Sequence, residues 1–217
     1  MYYVKIKFYQ NMKTLLIKYL PSGENSNTKK VLDIFLANLN EKKSTEIEIL
    51  DLLKTSIPIF DEKSIGCYYK RNYNNQNLSN DEAMLLAKND ELIRQLKSAN
   101  FIIIATPMHN FGFPAQVKAY IDAVTFHNET FAYDKKMMQG KKILTIFTSG
   151  GQYSSDKFGL DYPNWDALSL SAKLTFNFMG FDEVVSIGTS LRDPATNQNN
   201  LSKITDEINN LINKWYL

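Results

Sequence analysis

The chain has 217 residues, 44% of them hydrophobic, with 25 basic against 23 acidic side chains and a net charge of +2. That length can enclose one full α/β core, and charge so near balance excludes attraction to nucleic acid or an anionic membrane through bulk electrostatics. The single cysteine, Cys67, excludes an internal disulfide and a cysteine-built metal cluster, as expected of a chain in the reducing cytoplasm. No metal site is expected. No stretch approaches the ~20 apolar residues that span a bilayer.

Residues 1–11 are aromatic and basic, lack the hydrophobic run of a signal peptide, and read as an extension ahead of an ordinary start at Met12. Residues 12–217 read as one domain. Residues 14–19 form a first core strand, followed by a loop carrying Pro21 and Gly23. Over 26–39, Val31, Ile34, Phe35 and Leu39 are spaced for one buried helix face, with Ser26 or Asn25 as its cap. Residues 45–50 alternate through Glu46, Ile47, Glu48 and Ile49, the pattern of a strand with one wet face at a sheet edge. Residues 57–77 are rich in Tyr and Asn, show no sustained period and read as a long loop. Ser79 with Glu82 three residues on has the spacing of a capping box and opens a helix reaching about Ser98.

Residues 101–114 are the most informative stretch. Ile102, Ile103 and Ile104 lack polar alternation, which marks a strand covered on both faces, as in parallel sheets. Pro107 ends that strand, and Pro114 opens a helix over 114–126, where its missing N–H costs nothing. Residues 142–148 form another buried strand and end in Ser149, Gly150 and Gly151. A helix over 165–179, a short strand over 183–187 and a terminal helix over 201–215 complete the chain, the last with Ile204, Ile208, Leu211 and Ile212 on its apolar face.

Strands alternating with helices imply parallel pairing through right-handed crossovers. The expected architecture is a doubly wound, five-stranded parallel sheet of order 2-1-3-4-5 with helices on both faces. Its ligand crevice would open between the first and third strands. A six-stranded dinucleotide fold is disfavoured because Leu20 to Thr28 contains no Gly-x-Gly-x-x-Gly.

Three loops would then share one edge of the sheet. Ser26, Asn27 and Thr28 sit at a helix start, where free N–H groups attract a phosphate, although the same residues serve as a plain cap elsewhere. Met108, His109, Asn110, Phe111 and Gly112 offer amide groups and apolar packing to a flat heterocycle, or form only a buried turn. Thr148, Ser149, Gly150 and Gly151 permit close backbone approach to a ring. A phosphate at one end and a flat, hydrogen-bonding ring at the other describe flavin mononucleotide (FMN).

Taken together, these residues resemble the FMN-dependent NAD(P)H azoreductase and quinone reductase family, whose fold is flavodoxin-like. The resemblance spans nearly the whole chain from Met12. It is strongest in Thr106-Pro-Met-His-Asn-Phe-Gly-Phe-Pro-Ala-Gln-Val-Lys-Ala-Tyr-Ile-Asp122, in Thr130-Phe-Ala-Tyr133, in Thr148-Ser-Gly-Gly-Gln-Tyr-Ser154 and in Phe178-Met-Gly-Phe181. It implies that Ser26, Asn27 and Thr28 hold the FMN phosphate, that Met108, His109, Asn110 and Phe111 contact the ribityl chain and ring, and that Thr148 to Gly151 close the other edge. It further implies a cytoplasmic homodimer that takes hydride from NADH or NADPH and passes it to a quinone or azo acceptor in a two-electron ping-pong cycle. His109, Tyr133, Tyr153 and Phe178 are its candidate catalytic residues. Departures from the family pattern at Leu20, His109, Ser149 and Tyr153 bear on substrate preference more than on flavin binding. The competing reading is a flavodoxin-like electron carrier without small-molecule turnover. Such carriers are strongly acidic around the flavin, unlike a chain at +2.

Overall fold

Short aliphatic runs become the strands of one parallel sheet in this computed structural model, which describes residues 12–42, 45–151, 153 and 165–216. The expected extension over 1–11 lies outside them. The strands are β1 (Lys13–Lys18), β2 (Glu46–Asp51), β3 (Phe101–Pro107), β4 (Lys142–Ser149) and β5 (Glu183–Ser190), in the order β2-β1-β3-β4-β5. All four pairings are parallel. Among the described residues, six α-helices connect and cover them: α1 (Asn27–Lys42), α2 (Glu62–Tyr68), α3 (Asn80–Ser98), α4 (Ala115–Val124), α5 (Ala167–Met179) and α6 (Pro194–Tyr216).

The strands are apolar on both faces because both faces are covered. Leu15, Ile17, Ile102, Ile104 and Ile143 pack with Leu92 and Leu96 of α3, Val117 and Ile121 of α4 and Phe176 of α5. On the other face Leu16, Ile103, Leu144 and Ile146 meet Val31, Phe35 and Leu39 of α1 and Ile208, Ile212 and Trp215 of α6. The register then aligns the strand ends. Lys18 lies opposite Ala105, Pro107 opposite Thr148, and Thr148 opposite Thr189. The loops leaving β1, β3, β4 and β5 therefore emerge along one edge of the sheet, the edge where open α/β sheets bind ligands.

Four sequence expectations need correction. Residues 57–77 are not a loop: the Ser64 N–H donates to Asp61 Oδ1 at 2.8 Å, the Asp61 N–H donates to Ser64 Oγ at 2.9 Å, and this box starts α2. A π-helical turn, Tyr69–Tyr73, continues it. The extra residue of that turn breaks the 3.6-residue period, and the segment is anchored by aromatic rings and an amide, with Ile57 and Ile65 packed beside them. Tyr68 packs on Phe126 at 4.6 Å, and buried Asn72 donates to the His127 carbonyl at 2.8 Å.

β2 is indeed an edge strand, but its faces are mixed. Ile49 is 57% exposed, whereas Glu48 turns toward Lys13, 2.6 Å away, and Gln95. Pro114 is the residue before α4 and not its first member. Finally, β5 runs three residues beyond Ile187 and α6 begins seven residues before Leu201. Gly188 conceals the strand: a Cβ there would lie 2.1 Å from Phe147 Cζ, so the bare backbone makes room for that ring.

Candidate cofactor site

A cavity of about 340 Å³ opens at the aligned strand ends, lined by Ser26, Asn27 and Thr28, by Pro107, Met108 and His109, by Thr148, Ser149 and Gly150, and by Arg192. Its volume falls in the range of small-molecule sites. Pro21, Ser22 and Asn25 complete the wall on the β1 side. The loops after β1, β3 and β4 thus meet as the sequence suggested.

Each loop is placed by its own local chemistry. After β1, a short 3-10 turn, Gly23–Asn25, leads into Ser26, which has extended backbone and is buried ahead of α1. Ser26 Oγ accepts the Lys29 N–H at 3.3 Å and its carbonyl accepts the Lys30 N–H at 3.3 Å. The Asn27 and Thr28 N–H groups, at the positive end of α1, have no acceptor within the helix. The Thr28 hydroxyl is fully buried and lies 2.7 Å from the Thr148 hydroxyl, which ties the start of α1 to the end of β4.

After β3, the Met108 N–H donates to the Thr148 carbonyl at 2.8 Å and prolongs the sheet pairing. His109 and Gly112 then exchange backbone hydrogen bonds of 3.0 and 2.9 Å, closing a tight turn. Asn110 (φ 47°) and Phe111 (φ 67°) sit consecutively in the left-handed region. Asn tolerates that region, whereas for Phe it is strained at a cost of about 1–3 kcal/mol. The strained turn presents Phe111, 41% exposed, with its ring edge-on to Trp165 at 5.0 Å and to Tyr153 at 5.4 Å. His109 packs edge-on against Tyr19, ring centres 6.3 Å apart.

The expected site residues therefore divide. Ser26, Asn27, Thr28, Met108, His109, Thr148, Ser149 and Gly150 share the cavity wall. Asn110, Phe111 and Gly151 flank it without lining it, and Tyr153 lines a neighbouring cavity. Tyr133 and Phe178 are not on the wall either; their rings lie 6.2 Å apart in an aromatic cluster with His127 and Phe131. The Tyr133 phenol is pushed up from its ordinary value by its hydrogen bond to Tyr73. Tyr133, at 74% exposure, and Phe178 both face outward.

Sequence reasoning missed Arg192, the one charged side chain on the cavity wall among the described residues. The signal was hidden with the end of β5, because Arg192 looks remote from any strand if β5 stops at Ile187. Trp165 was also read only as the start of a helix, yet α5 begins at Ala167, capped by Asp166, and Trp165 packs on the β3 turn instead.

The donor set suits a phosphorylated, flat ligand. Helix N–H groups and hydroxyls gather on the β1 side, while backbone amides and a glycine flank the space between Met108 and Gly150.

Residues 12–212 match the family described as the flavodoxin-like fold. The FMN-dependent NADH:quinone oxidoreductase 1 of Bacillus anthracis is 30% identical over 216 residues, covering 94% of this chain and 96% of the relative. The FMN-dependent NADH:quinone oxidoreductase of Hydrogenovibrio crunogenus is 34% identical over 170 residues, covering 76% of this chain and 81% of its own. Among solved structures, an FMN-dependent NADH-azoreductase from Bacillus anthracis in complex with FMN superposes with a TM-score of 0.77 at 28% identity, covering 92% of this chain and 99% of that one. With strand order, crevice and sequence similarity in agreement, the chain belongs to the flavodoxin-like fold family, in the branch of its FMN-dependent NADH:quinone oxidoreductase relatives.

Proposed function

We propose that the protein is a cytoplasmic, FMN-dependent oxidoreductase that reduces quinones and azo compounds with NADH as donor, in a two-electron ping-pong cycle. The observation that carries this reading is the meeting of the β1, β3 and β4 loops in one cavity with phosphate-type donors on one side and amides on the other. When bound, FMN supplies the redox chemistry, taking hydride from the nicotinamide and giving it to the acceptor. The chain's part is to bind, orient and exclude water.

Asn27 and Thr28 offer their open N–H groups to the phosphate, with the Ser26 hydroxyl beside them. Met108 and His109 line the space the ring would take, Asn110 and Gly151 flank it, and Thr148, Ser149 and Gly150 would close its far edge. The Thr28–Thr148 bond holds these two walls at a fixed separation. Phe111, Tyr153 and Trp165 form an aromatic rim against which a planar acceptor can stack. His109 can hold a proton at a ring nitrogen beside the cavity. The Tyr133 hydroxyl, pushed up from its ordinary value by its hydrogen bond to Tyr73, is a polar group at the edge of the aromatic cluster with His127 and Phe131.

Tyr133 and Phe178 enter the same reading through a second copy of the chain. Leu170, Leu174 and Phe178 recur every four residues along α5 and are 56%, 63% and 48% exposed, an apolar stripe continuous with Tyr133. Such a stripe on a soluble protein marks an association surface, and twofold pairing would carry these rings to the partner's crevice. Sedimentation equilibrium should return twice the 25.0 kDa chain mass. Steady-state menadione reduction with NADH or NADPH, with and without added FMN, tests the activity. Turnover should rise with FMN to saturation, whereas a fully flavin-loaded protein that turns over no quinone would be an electron carrier.

A further inference from the structure

Among the described residues, the β1, β3 and β4 loops furnish the cavity with amides, hydroxyls and helix N–H groups, yet with no lysine or arginine side chain. A phosphate monoester carries about −1.5 to −2 charges at pH 7, more than the half-charge of one helix end offsets. The lysines near the start of α1 are already engaged. Lys29 pairs with Glu24 at 3.4 Å and Asp33 at 2.8 Å, and Lys30 donates to Asn27 Oδ1 at 3.0 Å.

Arg192 remains. It follows β5 directly after the buried Leu191, lies on the cavity wall, and has no ion pair or hydrogen bond among the described residues. The adjacent carboxylate is turned away from it: Asp193 Oδ1 accepts the Ala195 N–H at 3.0 Å, at the start of α6. An exposed guanidinium without a partner among the described residues offers its donors to a ligand, in a fork geometry that matches phosphate oxygens.

Resting on the FMN reading above, we propose that Arg192 is the counter-charge for the phosphate of the bound flavin nucleotide and makes the site select phosphorylated over unphosphorylated flavin. The β5–α6 loop then becomes a fourth arm of the site, supplying charge where the described residues of the other three supply hydroxyls and amides.

The test is titration of flavin-free protein with FMN and with riboflavin, followed by quenching of flavin fluorescence. Arg192→Gln should weaken FMN about tenfold or more while changing riboflavin affinity by less than about twofold. Arg192→Lys should recover most of the FMN affinity. The unaltered chain should lose FMN affinity more steeply than Arg192→Gln as salt rises from about 0.05 to about 0.5 M. Unchanged FMN binding in Arg192→Gln, or parallel losses of FMN and riboflavin, would overturn the assignment while leaving the flavin site standing. Failure of the unaltered chain to bind either flavin would instead overturn the FMN reading, and this inference with it.

Discussion

The two sides of the cavity are built on opposite principles. On the β1 side the backbone is relaxed, Ser26 and Thr28 are buried, and hydrogen bonds tie the chain to itself and to β4. On the β3 side a turn holds two successive non-glycine residues at positive φ and pushes Phe111 toward solvent. The first arrangement suits a ligand group that is always the same, because fixed donors lose little entropy when they bind. The second suits a variable partner, since strain held by surrounding structure fixes the direction of an exposed ring. Affinity for the cofactor should therefore reside on the β1 side and choice of acceptor on the β3 side.

The largest expected effect lies on the relaxed side. Replacing Ser26, Asn27 and Thr28 together by alanine removes the Ser26 hydroxyl and the Thr28–Thr148 tie that holds the helix N–H groups in place, and should lower FMN affinity by about 100-fold or more, so that the protein purifies nearly colourless. Flavin content measured after gel filtration checks this, and retained stoichiometric flavin would erase the proposed division. A smaller effect is expected in the strained turn. Asn110→Val should cost about 1–2 kcal/mol of stability, because a β-branched residue is poorly accommodated at φ 47°, whereas Asn110→Gly should be nearly neutral. Thermal melts of the flavin-free forms compare the two; equal melting points would mean that the turn carries no strain.

The smallest effect belongs to the β1–β2 edge, distant from both sides, and serves as their control. The Lys13 ammonium, and after it the Gln95 amide, hold the Glu48 carboxyl below the usual glutamate range. A depressed carboxylate stabilises the fold above its unfolded value, and that contribution disappears as pH falls through the folded value. With side chains 25% and 35% exposed, solvent screening leaves it at about 0.5 kcal/mol. Glu48→Gln should therefore flatten the loss of stability on acidification below about pH 4.5 without altering flavin affinity. A change in flavin affinity would show that the edge and the cavity are coupled.

Most of the fold was readable because its parts announce themselves locally. Ile102 to Ile104 and Ile143 to Ile146 can be stable only between two covering layers, and Ser79 with Glu82 forms the capping box that the spacing suggested. Reading failed where the signal was not aliphatic. α2 and the π-helical turn after it are held by Tyr68 and Asn72, which look like loop residues until Phe126 and His127 are seen against them. The cavity wall was legible wherever a loop follows a correctly placed strand. Arg192 was lost because Gly188 reads as a break until the Phe147 ring is found above it. Tyr133 and Phe178, expected beside the flavin, belong within one chain to an outward face and not to the crevice.

The hydroxyl pair of Thr28 and Thr148 has one more consequence. Because it bridges residues 120 positions apart at 2.7 Å inside the protein, the walls that carry Thr28 and Thr148 are already held together before anything enters between them. Bringing these two walls into place then takes nothing from the affinity for the nucleotide. Such a protein would refill quickly after losing its flavin, limited by encounter and not by rearrangement.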